Sequence, residues 1–367
     1  MSETREFVTV RAGGEVYSGW KEVQVAYGLN RAARSFTLTV SEGQLAPSGQ
    51  SDLDPWVFRP GTAVEIRAGA GDRGTGDRGA GDLLVTGYVD DYSPSYDAHR
   101  HEVTVTGRSK AGDYVDSAAV IEGGYFENKT PAEIARDLDK FGIGIGAKVP
   151  GDPVPDFQII QGETAFRAAE RVCRQQGICL MGLADGSVEL TNASEAGRQP
   201  GALLLGKNIL AASGHISHAK RFSDHMVKGQ GRAGHGDEAL RVEGTAQDPA
   251  VGRYRPRVVI AETATDVATA TRRAMIEAQR LAGLSTRASI TAQSFRDDTG
   301  TVWQPNNLVF VDCPWLRIHG DMLIETVRLT QDGQGSRALL ALVDPRAYDG
   351  KAPQKSKSDD AWTEMPE

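Results

Sequence analysis

The chain is poor in cysteine: its 367 residues include only three, Cys173, Cys179 and Cys313. An odd count with no CxxC spacing excludes a disulfide framework and fits reduced thiols made in a cytoplasm. No apolar run reaches the 18 residues or so of a membrane helix. The opening Met-Ser-Glu-Thr-Arg-Glu lacks the charged-then-apolar pattern of a signal peptide. Basic excess is missing too. Lys and Arg number 41 against 49 Asp and Glu, a formal charge of −8, which excludes a general nucleic-acid coat. No GxSxG, HExxH or Walker loop occurs.

Glycine, by contrast, is abundant at 42, as expected where many turns join short strands. The most informative feature is a unit that occurs twice, about 245 residues apart. The first copy runs from Trp56 through Pro60, Val64, Gly81-Asp82 and Val103-Thr104-Val105 to Arg108. The second runs from Trp303 through Pro305, Val309, Gly320-Asp321 and Leu339-Leu340-Ala341-Leu342 to Arg346. In each, a proline precedes by four residues a valine that opens an alternating strand, and Gly-Asp introduces the next. The copies are not tandem, so the chain is not a solenoid. Two similar β-units in one subunit would let a ring close with twice as many modules as chains.

Residues 1–108 read as β: Val23, Val25 and Tyr27 alternate on one face, as do Phe36, Leu38 and Val40. The run from Gly69 to Asp82, with Gly-Asp-Arg-Gly twice, reads as a long flexible hairpin tip. Residues 109–200 read as a small α+β domain. Thr130-Pro131-Ala132-Glu133 is a capping box with proline at the first helical position. Its helix would present Ile134, Leu138 and Phe141 and stop at Gly142. A second helix spans about Thr164 to Gln176 with Phe166, Ala169 and Cys173 on one face, and Asp185-Gly186 signals a hairpin. Residues 201–348 return to β with one helix at about 266–282, striped by Val267, Ala270, Ala274, Ala278 and Leu281. Residues 349–367 read as a disordered tail whose Trp362 is a candidate linear contact.

Few residues invite a chemical role. Gly229-Gln-Gly231-Arg-Ala-Gly234 matches GxGxxG, but no helical stripe opens after it to face a pyrophosphate, so it reads as a loop. His215, His218, His225 and His235 fit no helix or finger spacing for a metal. His99 and His101 flank Arg100 ahead of a strand, a polar sheet surface. Asp90-Asp91 and Asp297-Asp298 lie at turns, which gives a glycosidase no facing carboxylates. The expectation is no catalytic residue, no cofactor and no metal.

The segment from Val105 through Gly107, Arg108, Ser109, Lys110 and Asp113 to Ser117 resembles the signature of Mu-like phage baseplate hub proteins. Asn128 to Ala135, Gly162 to Phe166, Trp303-Gln304-Pro305-Asn306 and Met322-Leu323-Ile324 resemble the same family in the same order. The resemblance implies a mainly β fold with an α+β insertion, two related β-barrels and a smaller α+β domain. It implies a structural subunit of a contractile tail: a homotrimeric, pseudo-sixfold ring joining the tail tube to a separate trimeric spike. DNA would pass the lumen without specific binding, and the chain would be made in the host cytoplasm. A similar module opens the type VI secretion spike protein. Gly107, Arg108, Ser109 and Asp113 are expected to form a structural junction, with Gly107 in a tight turn and Arg108 bridging Asp113 or Asp116. The alternatives are the hub of a phage-tail-like bacteriocin or secretion device and, from another class, a tail-associated peptidoglycan hydrolase.

Overall fold

The computed structural model describes residues 6–41, 55–71, 81–98, 101–231, 241–261 and 265–348. The centre of the Gly-Asp-Arg-Gly run, His99, Gly234, His235 and the tail with Trp362 lie outside the described residues.

The N-terminal part is β throughout: β1 (Glu6–Ala12), β2 (Glu15–Tyr17), β3 (Glu22–Gly28), β4 (Ser35–Ser41), β5 (Ala63–Ala70), β6 (Asp82–Tyr96) and β7 (His101–Ser109). Period-two alternation sends Val23, Val25 and Tyr27 of β3, and Phe36, Leu38 and Val40 of β4, into one core. The α+β part follows as α1 (Ala111–Asp116), β8 (Tyr125–Lys129), α2 (Pro131–Asp137), β9 (Ile145–Ala147), β10 (Val154–Gln158), α3 (Ala165–Gln175), β11 (Cys179–Gly182) and β12 (Val188–Thr191). The capping box forms: the Glu133 amide donates to Thr130 Oγ1 at 3.2 Å and the Thr130 amide to Glu133 Oε2 at 2.8 Å. The helix is shorter than its apolar spacing predicts. It ends at Asp137 with Leu138 as its cap, so Phe141 lies beyond it. In α3 the buried face is Ala165, Ala168, Ala169, Val172 and Cys173, with Phe166 at its margin. The Asp185-Gly186 hairpin joins antiparallel β11 and β12.

The last part holds β13 (Gly197–Leu204), β14 (Ile209–Ile216), β15 (Asp224–Gly229), β16 (Val242–Gln247), β17 (Pro256–Ile260), α4 (Val267–Gly283), β18 (Thr286–Gln293), β19 (Asn307–Cys313), β20 (Ile318–Asp332) and β21 (Gly335–Val343). Reading 201–348 as one barrel misses a packing unit. β16, β15 and β17 form a sheet of their own, covered by α4, with Val227, Val242, Ala270 and Ala274 as its core. Helix and sheet approach so closely that a Cβ on Gly244 would lie 2.1 Å from the Thr271 amide nitrogen. Val267, expected on the buried stripe, is exposed at the first turn. This unit separates β14 from its partner β18.

The N-terminal strands and the remaining C-terminal strands share a 13-stranded sheet. Its order through the N-terminal half is β3-β4-β7-β6-β5-β1 and through the C-terminal half β14-β18-β21-β20-β19-β13. The internal repeat is thus a shared strand order. β6 and β20 have 15 residues each, and β7 and β21 have nine. A one-residue bulge interrupts both long pairings, at Asp90 and at Glu325. Aligning the bulges pairs Val327 with Tyr92 and Leu329 with Pro94. The two Gly-Asp pairs are not equivalent: Asp82 opens β6, whereas Asp321 sits inside β20. The outer strands also differ, since β1 runs antiparallel to β5 but β13 parallel to β19.

Candidate functional site

The residues with the most unusual surroundings lie at two joints between units. The first joint is β20 against β3, antiparallel, from Thr326 opposite Gly28 to Gln331 opposite Val23. It welds the repeat halves into one sheet over a continuous core. Tyr27 of β3 donates its hydroxyl to the Trp303 carbonyl at 2.9 Å, and both side chains are buried. The low-dielectric site pushes the Tyr27 phenol above its usual pKa. At the other end, Arg296 reaches Glu6 at 3.2 Å, Asp82 at 2.5 Å and the Ala68 carbonyl at 2.9 Å. Glu6 is buried; burial raises its pKa and Arg296 partly offsets that. Gln331 closes the seam by donating to the Glu6 carbonyl at 2.8 Å.

The second joint contains the four residues singled out in sequence. Gly107 lies inside β7, not in a turn, and its φ is not positive. Glycine is needed there for a different reason. A Cβ would stand 2.2 Å from the Tyr88 carbonyl oxygen and 2.4 Å from the Phe36 ring. Arg108 donates to Asp90 and Asp116, each at 2.7 Å. The expected alternative partner Asp113 is instead exposed in the first turn of α1, where an acid complements the helix dipole. Donating to Asp116 and then Asp90 raises the guanidinium pKa, and Asp116 is lowered in turn. Ser109 is buried and exchanges bonds with Arg34: the Arg34 amide donates to Ser109 Oγ at 3.1 Å, and the Ser109 amide to the Arg34 carbonyl at 2.8 Å.

Arg34 was not legible as a site residue. Its buried guanidinium donates to the Gly182 carbonyl at 3.0 Å and the Leu84 carbonyl at 2.9 Å, and lies 4.4 Å from the Tyr27 ring centre. Burial lowers its pKa. It therefore ties the N-terminal sheet to β11 of the α+β unit through carbonyls and an aromatic face rather than a carboxylate. Gly182 allows the approach, since its Cβ would sit 2.2 Å from the Ala32 carbonyl oxygen.

The other candidates do not converge. His215 and His218 are exposed and His225 is buried in β15. Among the described residues, no group of three or more His, Cys, Asp or Glu could hold a metal ion. No helix among them is long and apolar enough to cross a membrane. Trp56 and Trp303, matched in the repeat, differ in burial: Trp56 is 49% exposed and Trp303 0%.

Comparison with known proteins agrees with this layout. Residues 7–109 match the family described as Mu phage baseplate assembly protein GpP-like, N-terminal. Residues 111–192 match baseplate hub protein gp44-like, second domain. Residues 266–351 match Mu phage baseplate assembly protein GpP, fourth domain. The chain is 31% identical over 350 residues to the baseplate hub protein gp44 of Escherichia phage Mu, covering 91% of this chain and 87% of that protein. The 43 kDa tail protein of prophage MuSo2 from Shewanella oneidensis superposes with a TM-score of 0.79 at 30% identity, over 93% of this chain and 99% of that one. An Escherichia coli component of the type VI secretion system shares the fold, with a TM-score of 0.57 at 11% identity over 94% and 79% of the two chains. Two β-halves welded edge to edge, an α+β unit clamped by Arg34 and these relatives together place the chain in the Mu-like baseplate hub family, as a structural protein of the phage tail.

Proposed function

We propose that this hub protein works as a homotrimeric ring of pseudo-sixfold symmetry that joins the tail tube to a trimeric central spike in a contractile tail. The observation that carries the reading is the repeat of one six-strand order in both halves of the chain, fused through β20 and β3. Three copies would present six similar β-units, meeting sixfold subunits on one side and a threefold spike on the other. Each half acts as one barrel of the ring. The proposed boundaries are 1–108 and 201–348 for the barrel domains, the second interrupted by the β15–β17 sheet and α4, 109–200 for the α+β insertion and 349–367 for a tail whose Trp362 makes a linear contact. Gly107, Arg108, Ser109 and Asp113 form the junction from which the insertion is hung. Assembly takes place in the host cytoplasm, DNA passes the lumen without specific binding, and the protein performs no catalysis.

Light scattering after size exclusion tests this. Three copies of the 39.3 kDa chain give about 118 kDa, and a closed small ring is the ordinary outcome for a self-associating subunit. A ring with a central hole in negative stain supports the reading, and a monomer at all concentrations overturns it. Clearing of purified cell walls would instead favour a hydrolase.

A further inference from the structure

The β15–β17 unit carries a basic surface on a chain whose formal charge is −8. Two segments build it: the turn 217–223, and the run from Arg253 to Arg257 that enters β17. They are clamped together. The Arg255 amide donates to Ser223 Oγ at 2.8 Å, and its guanidinium to the His218 and Ala219 carbonyls at 2.8 and 3.0 Å. The guanidinium carbons of Arg255 and Arg257 lie 5.3 and 5.6 Å from the centre of the Phe222 ring. Arg255 thus holds carbonyls rather than a carboxylate. Lys220 and Arg253 are exposed and make no hydrogen bond or ion pair among the described residues. The acids close by are already engaged: Asp248 by Arg221, Asp224 by Ser223 and Gln247, and Glu277 of α4 by Arg257 at 3.8 Å.

An apolar row runs beside these charges. Tyr254, Pro256, Val258 and Ile260, at every second position, are exposed, Tyr254 at 79%. The last described residues come to the same end of the unit. Ala347 packs so closely on Gly283, the final residue of α4, that a Cβ there would stand 2.1 Å from the Ala347 amide nitrogen. Two residues on, the Ser285 carbonyl accepts the Ser217 amide at 2.8 Å, at the root of the basic turn. Asp248, gripped by Arg221, lies within electrostatic range of Arg346. The chain therefore passes Tyr348 close to the patch. Further along, Asp359 to Glu367 holds Asp359, Asp360, Glu364 and Glu367, the single tryptophan Trp362, and no Lys or Arg. Asp359 comes eleven residues after Tyr348, a reach of up to about 36 Å when extended.

We propose that the acidic segment Asp359–Glu367 docks on the basic patch of its own chain, with Asp359 and Asp360 against Lys220 and Arg253 and with Trp362 laid on Tyr254 and Val258. This gives the Trp362 contact its place and rests on that contact, not on the ring. Exposed ion pairs are individually weak and are screened by salt. Tethering compensates, because a short linker holds the segment at an effective concentration on the order of mM. Trp362 adds an aromatic contact with Tyr254 and a cation–π contact with a guanidinium beside it. A free polyanion such as a nucleic acid has no tether and approaches a chain that is acidic overall. A segment so placed withdraws the patch from passing DNA.

Zero-length carbodiimide coupling of the full chain tests the contact. Lys220 is expected to join Asp359 or Asp360, found by peptide mass mapping in the band that runs at 39.3 kDa on a denaturing gel. Trp362 emission, taken as the parent minus Trp362→Phe, should be quenched by acrylamide at least threefold less than in a synthetic peptide of residues 357–367. Lys220→Glu with Arg253→Glu, both exposed, should abolish that protection with an unchanged circular dichroism spectrum. Adding Asp359→Lys and Asp360→Lys to this pair should restore it. NaCl at roughly 0.5 M should open the contact in the parent. Protection of Trp362 that survives the charge reversal overturns this patch and leaves a Trp362 contact standing elsewhere. Trp362 as open to acrylamide as the peptide overturns both. Coupling confined to a dimer band, or an oligonucleotide held by the patch while the tail stays uncoupled, also overturns the proposal and gives the patch to a second copy or to nucleic acid.

Discussion

Tyr27 and Trp303 stand 276 residues apart and are joined by a 2.9 Å hydrogen bond from the phenol to the tryptophan carbonyl, wholly out of solvent. The bond spans the two repeat halves, so its loss reports on their joint. Tyr27→Phe keeps the ring and strands the carbonyl, at a cost of about 1–2 kcal/mol. Tyr27→Ala adds a cavity, for about 3–5 kcal/mol in all. Urea unfolding checks both, and the two halves should unfold in a single transition because they share one core.

Arg34 braces the second joint beside the Arg108–Asp116 bridge. Arg34→Met removes the donors to Gly182 and Leu84 while keeping most of the side-chain volume, and should cost about 2–3 kcal/mol. Hydrogen exchange should rise first in β11 and β12, which keep the Gly182 amide bond to the Arg31 carbonyl but lose the Arg34 side-chain tie. Arg34→Lys should not restore protection, because an ammonium cannot fork between two carbonyls while stacking on Tyr27.

Two neighbouring glycines should respond with opposite sign. Gly107→Ala forces a methyl onto the Tyr88 carbonyl and the Phe36 ring, and is expected to destabilise by about 2 kcal/mol or more. Gly112 lies in α1, and its Cβ would find its nearest atoms at 3.5 Å, ordinary contact with Arg108. Gly112→Ala should therefore raise stability by about 0.5–1 kcal/mol through the helix-entropy gain. Thermal melts of the two variants side by side decide the matter.

Acid should loosen the β15–β17 unit through one ion pair. Arg221 grips both oxygens of Asp248 at 2.5 and 3.1 Å, with both side chains largely buried. Burial by itself would raise the carboxyl pKa, but the Arg221 hydrogen bond and the Ala250 amide hold it below the usual 3.8. The unfolded chain thus takes up this proton first. The pair's contribution is full above about pH 4 and lost as the pH falls through the folded value. At pH 6, Asp248→Asn should be less stable than the parent by about 3 kcal/mol, as for a broken buried pair. The gap should narrow steadily as the pH is taken below 4, read as urea midpoints across the range.

What the chain reveals of itself follows the range of each interaction. The strands around Val23, Val25 and Tyr27, the Thr130 capping box and the Asp185-Gly186 hairpin are local, and their periods and turn residues are written in consecutive letters. The β20–β3 joint is not, since strands some 300 positions apart leave no mark on each other's spacing. Arg34 sits in a polar loop and reads like any surface arginine until β11 folds over it. Gly107 was expected in a turn because a glycine allows both positive φ and close approach, and the letter does not say which. The sheet formed by β15, β16 and β17 was hidden because its short strands flank a glycine-rich stretch and share their span with longer ones.

Because β20 belongs to both halves of the repeat, a load applied to one half reaches the other along a single covalent backbone. At roughly 3.3 Å per residue, its 15 residues form a beam of about 50 Å, braced by β19 and β21 on one half and by β3 on the other. Bending one half against the other requires shearing several backbone ladders at once rather than opening a hinge. A device that must transmit an axial thrust without changing shape gains from such a member: stiffness set by bonded geometry, with no soft linker to absorb the stroke.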